Sequence, residues 1–376
     1  KKAYARSEYR EEQGYEKFCM DSWFWLNDYA FYMALKFHFD NKEWLAWPED
    51  IRFRKKEAVE SYREELKDEI DFWKFLQYKF YQQWGKLRAY ANEQGISIIG
   101  DIPIYVALDS ADVWTHPELF LLDEENLTPL KVAGVPPDAF SETGQLWGNP
   151  LYRWDVQEKT DFAWWKERMK ASARLYDVVR IDHFIGVTQY YAIPAGSEDG
   201  KTGEWLKGPG KKLTDAINMV IGDTKIIAED QELLEETGYP GMKIIEFAFS
   251  GDRFNEHLPH MYSPNSVVYG GTHDNETLVG YFKPEARQWW ELQYIADYMG
   301  VSHQHEVVDK VLKTAYASVA SVVIFQAQDV LKLDSWARMN TPGTVGNNWR
   351  WRMKPGELTQ DHINHLSWLV DTFGRF

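Results

Sequence analysis

Apolar positions in the first part of the chain recur with a helical period. Phe72, Leu76 and Phe80 stand at i, i+4 and i+8, with Trp73 and Trp84 nearby and Lys/Glu pairs between them. The pattern predicts one long helix or two consecutive helices over 55–93, ending near Gly95. The stretch 9–37 reads as helix too, and is rich in rings. Beyond it the period changes. Short apolar, β-branched runs at 96–106, 178–184, 225–230, 242–249, 266–272 and 321–328 each end in polar or charged residues. Helical segments such as 162–175 and 213–220 lie between them. Near-continuous apolar strands alternating with helices predict an α/β fold with a parallel sheet buried on both faces. About six strands are legible where a closed (β/α)8 barrel has eight. The other candidate is an open doubly wound sheet, but no Gly-x-Gly-x-x-Gly turn follows any run. The segment 133–152, with its Gly, Pro, Asn and rings, reads as a large ordered loop, a kind that often carries function.

Composition narrows the chemistry. The chain has 376 residues, 44% hydrophobic and 27% charged, with a formal net charge of -16. Such a surface repels nucleic acid and anionic membranes, and no run approaches the ~18 apolar residues of a membrane span. A single cysteine, Cys19, excludes an internal disulfide framework and a thiolate metal cluster, and suits a reducing compartment. Aromatic residues make up 16% of the chain, including 18 Trp. Rings suit sugar faces, although most rings in any fold are core.

Acids stand at three strand ends. In Val179-Arg180-Ile181-Asp182-His183, Arg180 and Asp182 share one face of a strand. A guanidinium there favours the ionised carboxylate a nucleophile needs; a structural ion pair is the bland alternative. Glu229 ends the apolar run Ile226-Ile227-Ala228. Desolvation at such a place favours the protonated form a general acid needs; a helix-capping acid is the alternative. Gly271-Thr272-His273-Asp274-Asn275 sets a His and an Asp after a β-run, where a turn cap is the alternative. If that strand continues, His273 and Asp274 point opposite ways, which disfavours a shared metal. A retaining glycosidase needs an ionised carboxylate and a protonated carboxyl ~5–5.5 Å apart, and the three acids together fit that demand. No Gly-x-Ser-x-Gly elbow and no phosphate-binding Gly-x-x-x-x-Gly-Lys-Ser/Thr loop is present.

Longer motifs run through most of the chain. They are Gly100-Asp101-Ile102-Pro103-Ile104-Tyr105-Val106, the segment from Gly134-Val135-Pro136-Pro137-Asp138 to Trp147-Gly148-Asn149-Pro150, Pro240-Gly241-Met242-Lys243, Arg338-Met339-Asn340-Thr341-Pro342-Gly343 and Gly346-Asn347-Asn348-Trp349. With the three acids, they resemble the amylomaltase or disproportionating-enzyme family, glycoside hydrolase family 77. The resemblance implies a (β/α)8 barrel of the α-amylase type with inserted helical subdomains: a helical subdomain over 1–95 and a catalytic barrel over 96–376, with an active-site loop at 133–152. It implies 4-α-glucanotransferase activity on malto-oligosaccharides and α-1,4-glucans, with no metal, no organic cofactor, no nucleic-acid or membrane partner, and a cytoplasmic location. Asp182 matches the nucleophile, Glu229 the acid/base and Asp274 the transition-state stabiliser. Arg180 and His273 match residues that orient the nucleophile and bind sugar, and Asp101 an acid at the end of the third barrel strand. Asp138, Phe140 and Trp147 match a loop over the glucan, and Asn347 and Asn348 one beside the acceptor path.

The chain departs from the family in two places. The first barrel strands, with a Ser-Pro-Tyr loop, are expected to be missing, and the stretch between Asp230 and Pro240 is short for a crossover helix. An α-glucan hydrolase shares all three acids, and a catalytically silent glucan-binding protein is the reading from another class.

Overall fold

The computed structural model describes residues 1–137, 141–229 and 234–376. The chain forms two compact units, Lys1–Ile226 and Ile227–Phe376.

The first unit opens with the helices that the periodicity predicts: Gln13–Asp21, Trp23–His38, Lys56–Glu65 and Lys67–Glu93. The last has Asp68 and Glu69 in its first turn, where they oppose the helix dipole. It stops at Gln94, and Gly95 turns the chain at φ +75°. Its inner face buries Phe75 and Tyr78 against Tyr9 and Tyr15. Farther along, Trp84 Nε1 donates to the Leu175 carbonyl at 2.7 Å, and Arg88 grips the Asp177 carboxylate at 2.7 and 3.0 Å. Asp177 also accepts from the Ile98 amide at 2.7 Å. One carboxylate thus ties the long helix to the start of two strands.

The strands of this unit are β1 (Ile99–Pro103), β2 (Lys131–Val135), β3 (Gln145–Pro150), β4 (Val178–Asp182), β5 (Gln189–Pro194) and β6 (Glu204–Lys207). β1 and β4 pair in parallel, with Asp101 opposite Arg180 and Pro103 opposite Asp182. The helix Ala163–Leu175 leads into β4, as the pattern predicts. The other strands form an antiparallel sheet in the order β3-β2-β5-β6. The segment that reads as a long loop is therefore mostly a pair of strands on either side of 136–144. The glycines that give it a loop-like composition have a different use. A β-carbon on Gly134 would lie 2.2 Å from the Gln145 carbonyl and 2.5 Å from Ile193, so close strand approach requires its absence.

The second unit holds β7 (Lys225–Ala228, entering from the first unit), β8 (Gly241–Ile244), β9 (Ser266–Tyr269) and β10 (Val322–Ile324), parallel and in that order. Every residue of β8 and β9 is buried, the burial expected of a parallel sheet covered on both faces. The helices Trp289–Met299, Val307–Ala317 and Gln360–Phe373 contribute Ile295, Val311, Leu312 and Leu369 to one core with Val268, Leu278 and Phe282. Among the described residues, the connection from β7 to β8 contains the helical turn Leu234–Thr237.

All six apolar runs hold a strand, and the α/β reading stands. Among the described residues, two parallel strands lie in the first unit and four in the second, fewer than the eight of a closed barrel. The run at 242–249 ends its strand early. After Ile244 the chain turns into the 3-10 segment Ile245–Phe247, which buries Ile245 and Glu246 and keeps one backbone bond, from the Glu246 amide to the Gly270 carbonyl at 3.1 Å.

Gly134→Ala tests the close approach in the antiparallel sheet. We expect a loss of about 2 kcal/mol, because the neighbour is backbone and cannot give way. Thermal and urea melts of the variant check this, and an unchanged midpoint would show that the two strands separate freely.

Candidate active-site residues in the two units

In the first unit three predicted residues come together. Arg180 Nη1 donates to both oxygens of Asp101, at 2.6 and 2.7 Å, and to Asp182 Oδ1 at 2.8 Å. Strand alternation places Arg180 and Asp182 on one face, and the β1–β4 register brings Asp101 across to it. Arg180 is only 5% exposed, whereas the side chains of Asp101 and Asp182 are 36% and 40% exposed. The cation is buried and paired, and the acids keep access to solvent. That is the arrangement a carboxylate needs if it is to meet a substrate.

His183 follows Asp182 at φ +53°, in the left-handed region a bulky residue rarely adopts, and turns the chain into the 3-10 segment Phe184–Val187. Its ring meets Trp147 edge to face at 4.7 Å, with Tyr105 6.4 Å from each. Trp147, carried on β3, is partly exposed and donates Nε1 to Gln145 at 3.1 Å. Asp138 and Phe140, expected in the same loop, lie outside the described residues.

In the second unit, Glu229 is the first residue beyond β7 and half-buried, after three buried residues of that strand. The chain does not continue as a strand at 272–275, so His273 and Asp274 do not diverge. His273 Nε2 stands 3.3 Å from Asp274 Oδ2. The turn is held by Asn275, whose Oδ1 accepts from the amide and hydroxyl of Thr272 at 2.9 and 2.8 Å. The capping role considered for Asp274 thus falls to its neighbour. Asn340 Nδ2 donates to Asp274 Oδ1, and Arg338 Nη2 donates to the Asp274 carbonyl at 2.7 Å. The half-exposed Trp349 lies 5.0 Å from the His273 ring, with φ +63°.

Asn348 shapes its own loop: Oδ1 accepts from the Thr341 amide at 3.1 Å and Nδ2 donates to the Thr344 carbonyl at 3.1 Å. Asn347 is exposed and accepts from Arg350 at 3.3 Å. Sequence reasoning assigned no role to Arg338, Asn340 or Trp349. The signal was available, since all three lie in the motifs that carry the family resemblance. Among the described residues no group of three or more His, Cys, Asp or Glu side chains is arranged to hold a metal ion, and no helix is long and apolar enough to cross a membrane.

Residues 1–359 match the profile of glycoside hydrolase family 77, described as 4-alpha-glucanotransferase. The chain belongs to this family. A 4-alpha-glucanotransferase from Clostridium butyricum is 46% identical over all of the chain and 78% of its own length. One from Streptococcus pneumoniae is 48% identical over 92% of the chain and 70% of its length. Among solved structures, an amylomaltase from Streptococcus agalactiae in complex with acarbose aligns over the whole chain and 77% of its own, with TM-score 0.93 and 41% identity.

One feature of this family member was not legible in the sequence. Glu246 and Asp329, both fully buried in the second unit, each leave one carboxyl oxygen without a partner. Burial pushes Glu246 well above the usual carboxylate range, and the charges of Asp329 and Glu276 add to the rise. Burial likewise raises Asp329 to about 7, against the hydrogen bond it accepts from the Leu278 amide at 2.8 Å. The folded chain therefore holds the Asp329 proton after the unfolded chain has released it. Stability from this group is fully present below about pH 4, falls as the pH rises through about 7, and is level above that. Asp329→Asn carries no such cost. Relative to the parent, we expect the variant to gain on the order of 3 kcal/mol between pH 4 and pH 8. Melts at the two pH values check this, and a difference that does not change with pH would contradict it.

Proposed function

We propose that this chain transfers α-1,4-glucan segments to the 4-hydroxyl of an acceptor sugar by a retaining double displacement. Family membership and the named relatives support glucan transfer over hydrolysis. The observation that carries the mechanistic part is the buried Arg180 guanidinium bonded to both Asp101 and Asp182, which holds and aims the carboxylate at 182.

In this reading Asp182 attacks the anomeric carbon while Glu229 gives its proton to the leaving glycosidic oxygen. The cut segment is then an ester on Asp182. Glu229, now a carboxylate, takes the proton of the acceptor hydroxyl as that oxygen displaces Asp182, which restores both groups. Asp274, with His273 beside it, holds ring hydroxyls of the sugar as positive charge develops at the anomeric centre. Asn340 keeps the Asp274 carboxylate from rotating away. Trp147 and Trp349 offer ring faces to sugars, and Asn347 and Asn348 belong to the acceptor side. The segment 133–152 excludes bulk water, so that a sugar, rather than water, meets the intermediate. Substrates are malto-oligosaccharides and longer α-1,4-glucans, and no metal or organic cofactor enters the reaction. A cytoplasmic setting is included in the proposal and rests on the single cysteine, Cys19.

Incubation with pure maltotriose, with products separated by length, tests the function. Transfer yields glucose together with a ladder of longer chains; glucose and maltose alone would establish a hydrolase. Asp182→Asn should lower the rate by about a thousandfold or more, as loss of a nucleophile does. A silent glucan-binding protein would show no turnover to lose. Cutting back the segment 133–152 should raise the share of hydrolysis, and an unchanged transfer-to-hydrolysis ratio would remove its water-excluding role.

A further inference from the structure

The motif Arg338-Met339-Asn340 is not used by the mechanism beyond Asn340, yet its arginine reaches the loop that carries Asp274. Arg338 makes three polar contacts in different directions. Nη2 donates to the Asp274 carbonyl at 2.7 Å, Nε donates to the Asn340 carbonyl at 2.9 Å, and Nη1 faces Glu276 Oε2 at 3.8 Å. A guanidinium carries these donors on three separate nitrogens in one rigid plane, whereas the three donors of an ammonium share a single nitrogen. One side chain therefore ties the Asp274 backbone to the backbone of the residue that holds its carboxylate.

The other end of the loop is held differently. A β-carbon on Gly271 would lie 2.7 Å from Glu246 Oε1, so the backbone there runs directly against a buried carboxyl. Between the ends, Asn275 closes the turn on Thr272. The loop is clamped at its start by packing and in its middle by a turn, and at Asp274 by a cation. Glu276 fixes the cation: its Oε1 accepts from the Thr277 amide at 2.9 Å, which leaves Oε2 to face Arg338. Arg338 is also near enough to Glu246 to be felt by it, so the guanidinium lies at the edge of the buried acids.

We propose that Arg338, oriented by Glu276, is a positioning residue for Asp274. It holds the loop so that the Asp274 carboxylate meets the sugar with the geometry of the transition state, and it touches no substrate atom itself. The proposal rests on the catalytic role given to Asp274 above. An interaction that matters at the transition state alters kcat and leaves KM nearly unchanged. A displacement of the order of 1 Å at such a group costs about a hundredfold.

The test is the maltotriose transfer assay on the full chain with Arg338→Ala, Arg338→Lys, Glu276→Gln, Asp274→Ala and the double variant Arg338→Ala/Asp274→Ala. Arg338→Ala should lower kcat by about ten- to a hundredfold, with KM within about threefold. Added guanidinium ion should recover some of that loss, and Arg338→Lys, which keeps the charge and most of the packing, should fall between the two. Glu276→Gln should show a smaller loss, also in kcat. The decisive comparison is the double variant. If Arg338 acts through Asp274, removing it from Asp274→Ala costs no more than about twofold, because coupled residues are not additive. A full, multiplicative loss in the double variant, or an unchanged kcat in Arg338→Ala, would overturn the inference. Asp274→Ala with parental turnover would instead overturn the catalytic role of Asp274, a separate failure read from that single variant.

Discussion

A buried guanidinium between two half-exposed carboxylates is the constraint on which the first unit turns. Arg180 cannot be left unpaired where it lies, since an uncompensated buried charge costs several kcal/mol. The pairing demands that β1 and β4 keep their register, so that Asp101 stands opposite Arg180 and Asp182 lies two residues further along the same face. That register is fixed at the other end of the strands by Asp177, which binds Arg88 of the long helix and the Ile98 amide together. The helical portion thus does more than cover the strands. It sets the position from which the Asp182 carboxylate projects.

The second unit solves a different problem with acids. Asp274 has to remain accessible and aligned, so its partners are donors: Asn340 on the carboxylate, Arg338 on the carbonyl and His273 alongside. Glu246 packs against Gly271 of the same loop and Asp329 accepts from the Leu278 amide; each leaves one carboxyl oxygen without a donor, and burial favours their neutral forms. As neutral groups they fill space against Gly271 and Leu278 without repelling the acids nearer the surface. Protonated, they leave Arg338 to serve Glu276 and the loop.

Much of this could be read from residue order. Six apolar runs foretold the six parallel strands; burial on both faces explains the near-continuous apolar signature of β8 and β9, whereas β1 and β10 are partly exposed. Arg180 and Asp182 were placed together because strand alternation is a local rule. Other features depend on contacts far apart in sequence. The antiparallel sheet was hidden because Gly134 is present for close approach to Gln145 and Ile193, yet in sequence it resembles a loop residue. The orientation of His273 and Asp274 followed from where β9 ends, and Asn275, not a strand, decides that. The division at Ile226 falls inside an apolar run and has no composition signal. The buried carboxyls were invisible because Glu246 and Asp329 look, in one dimension, like any surface acid.

The central claim is that Asp182, aimed by Arg180, becomes covalently bound to the glucan. Trapping tests it most directly: a slowly turning-over fluorinated glucosyl fluoride is added to the full chain, and the digest is analysed by mass spectrometry. The account predicts one added sugar per chain, located on the peptide that carries Asp182, and no adduct in Asp182→Asn. A stable adduct on another residue, or transfer activity without any adduct at Asp182, would contradict it.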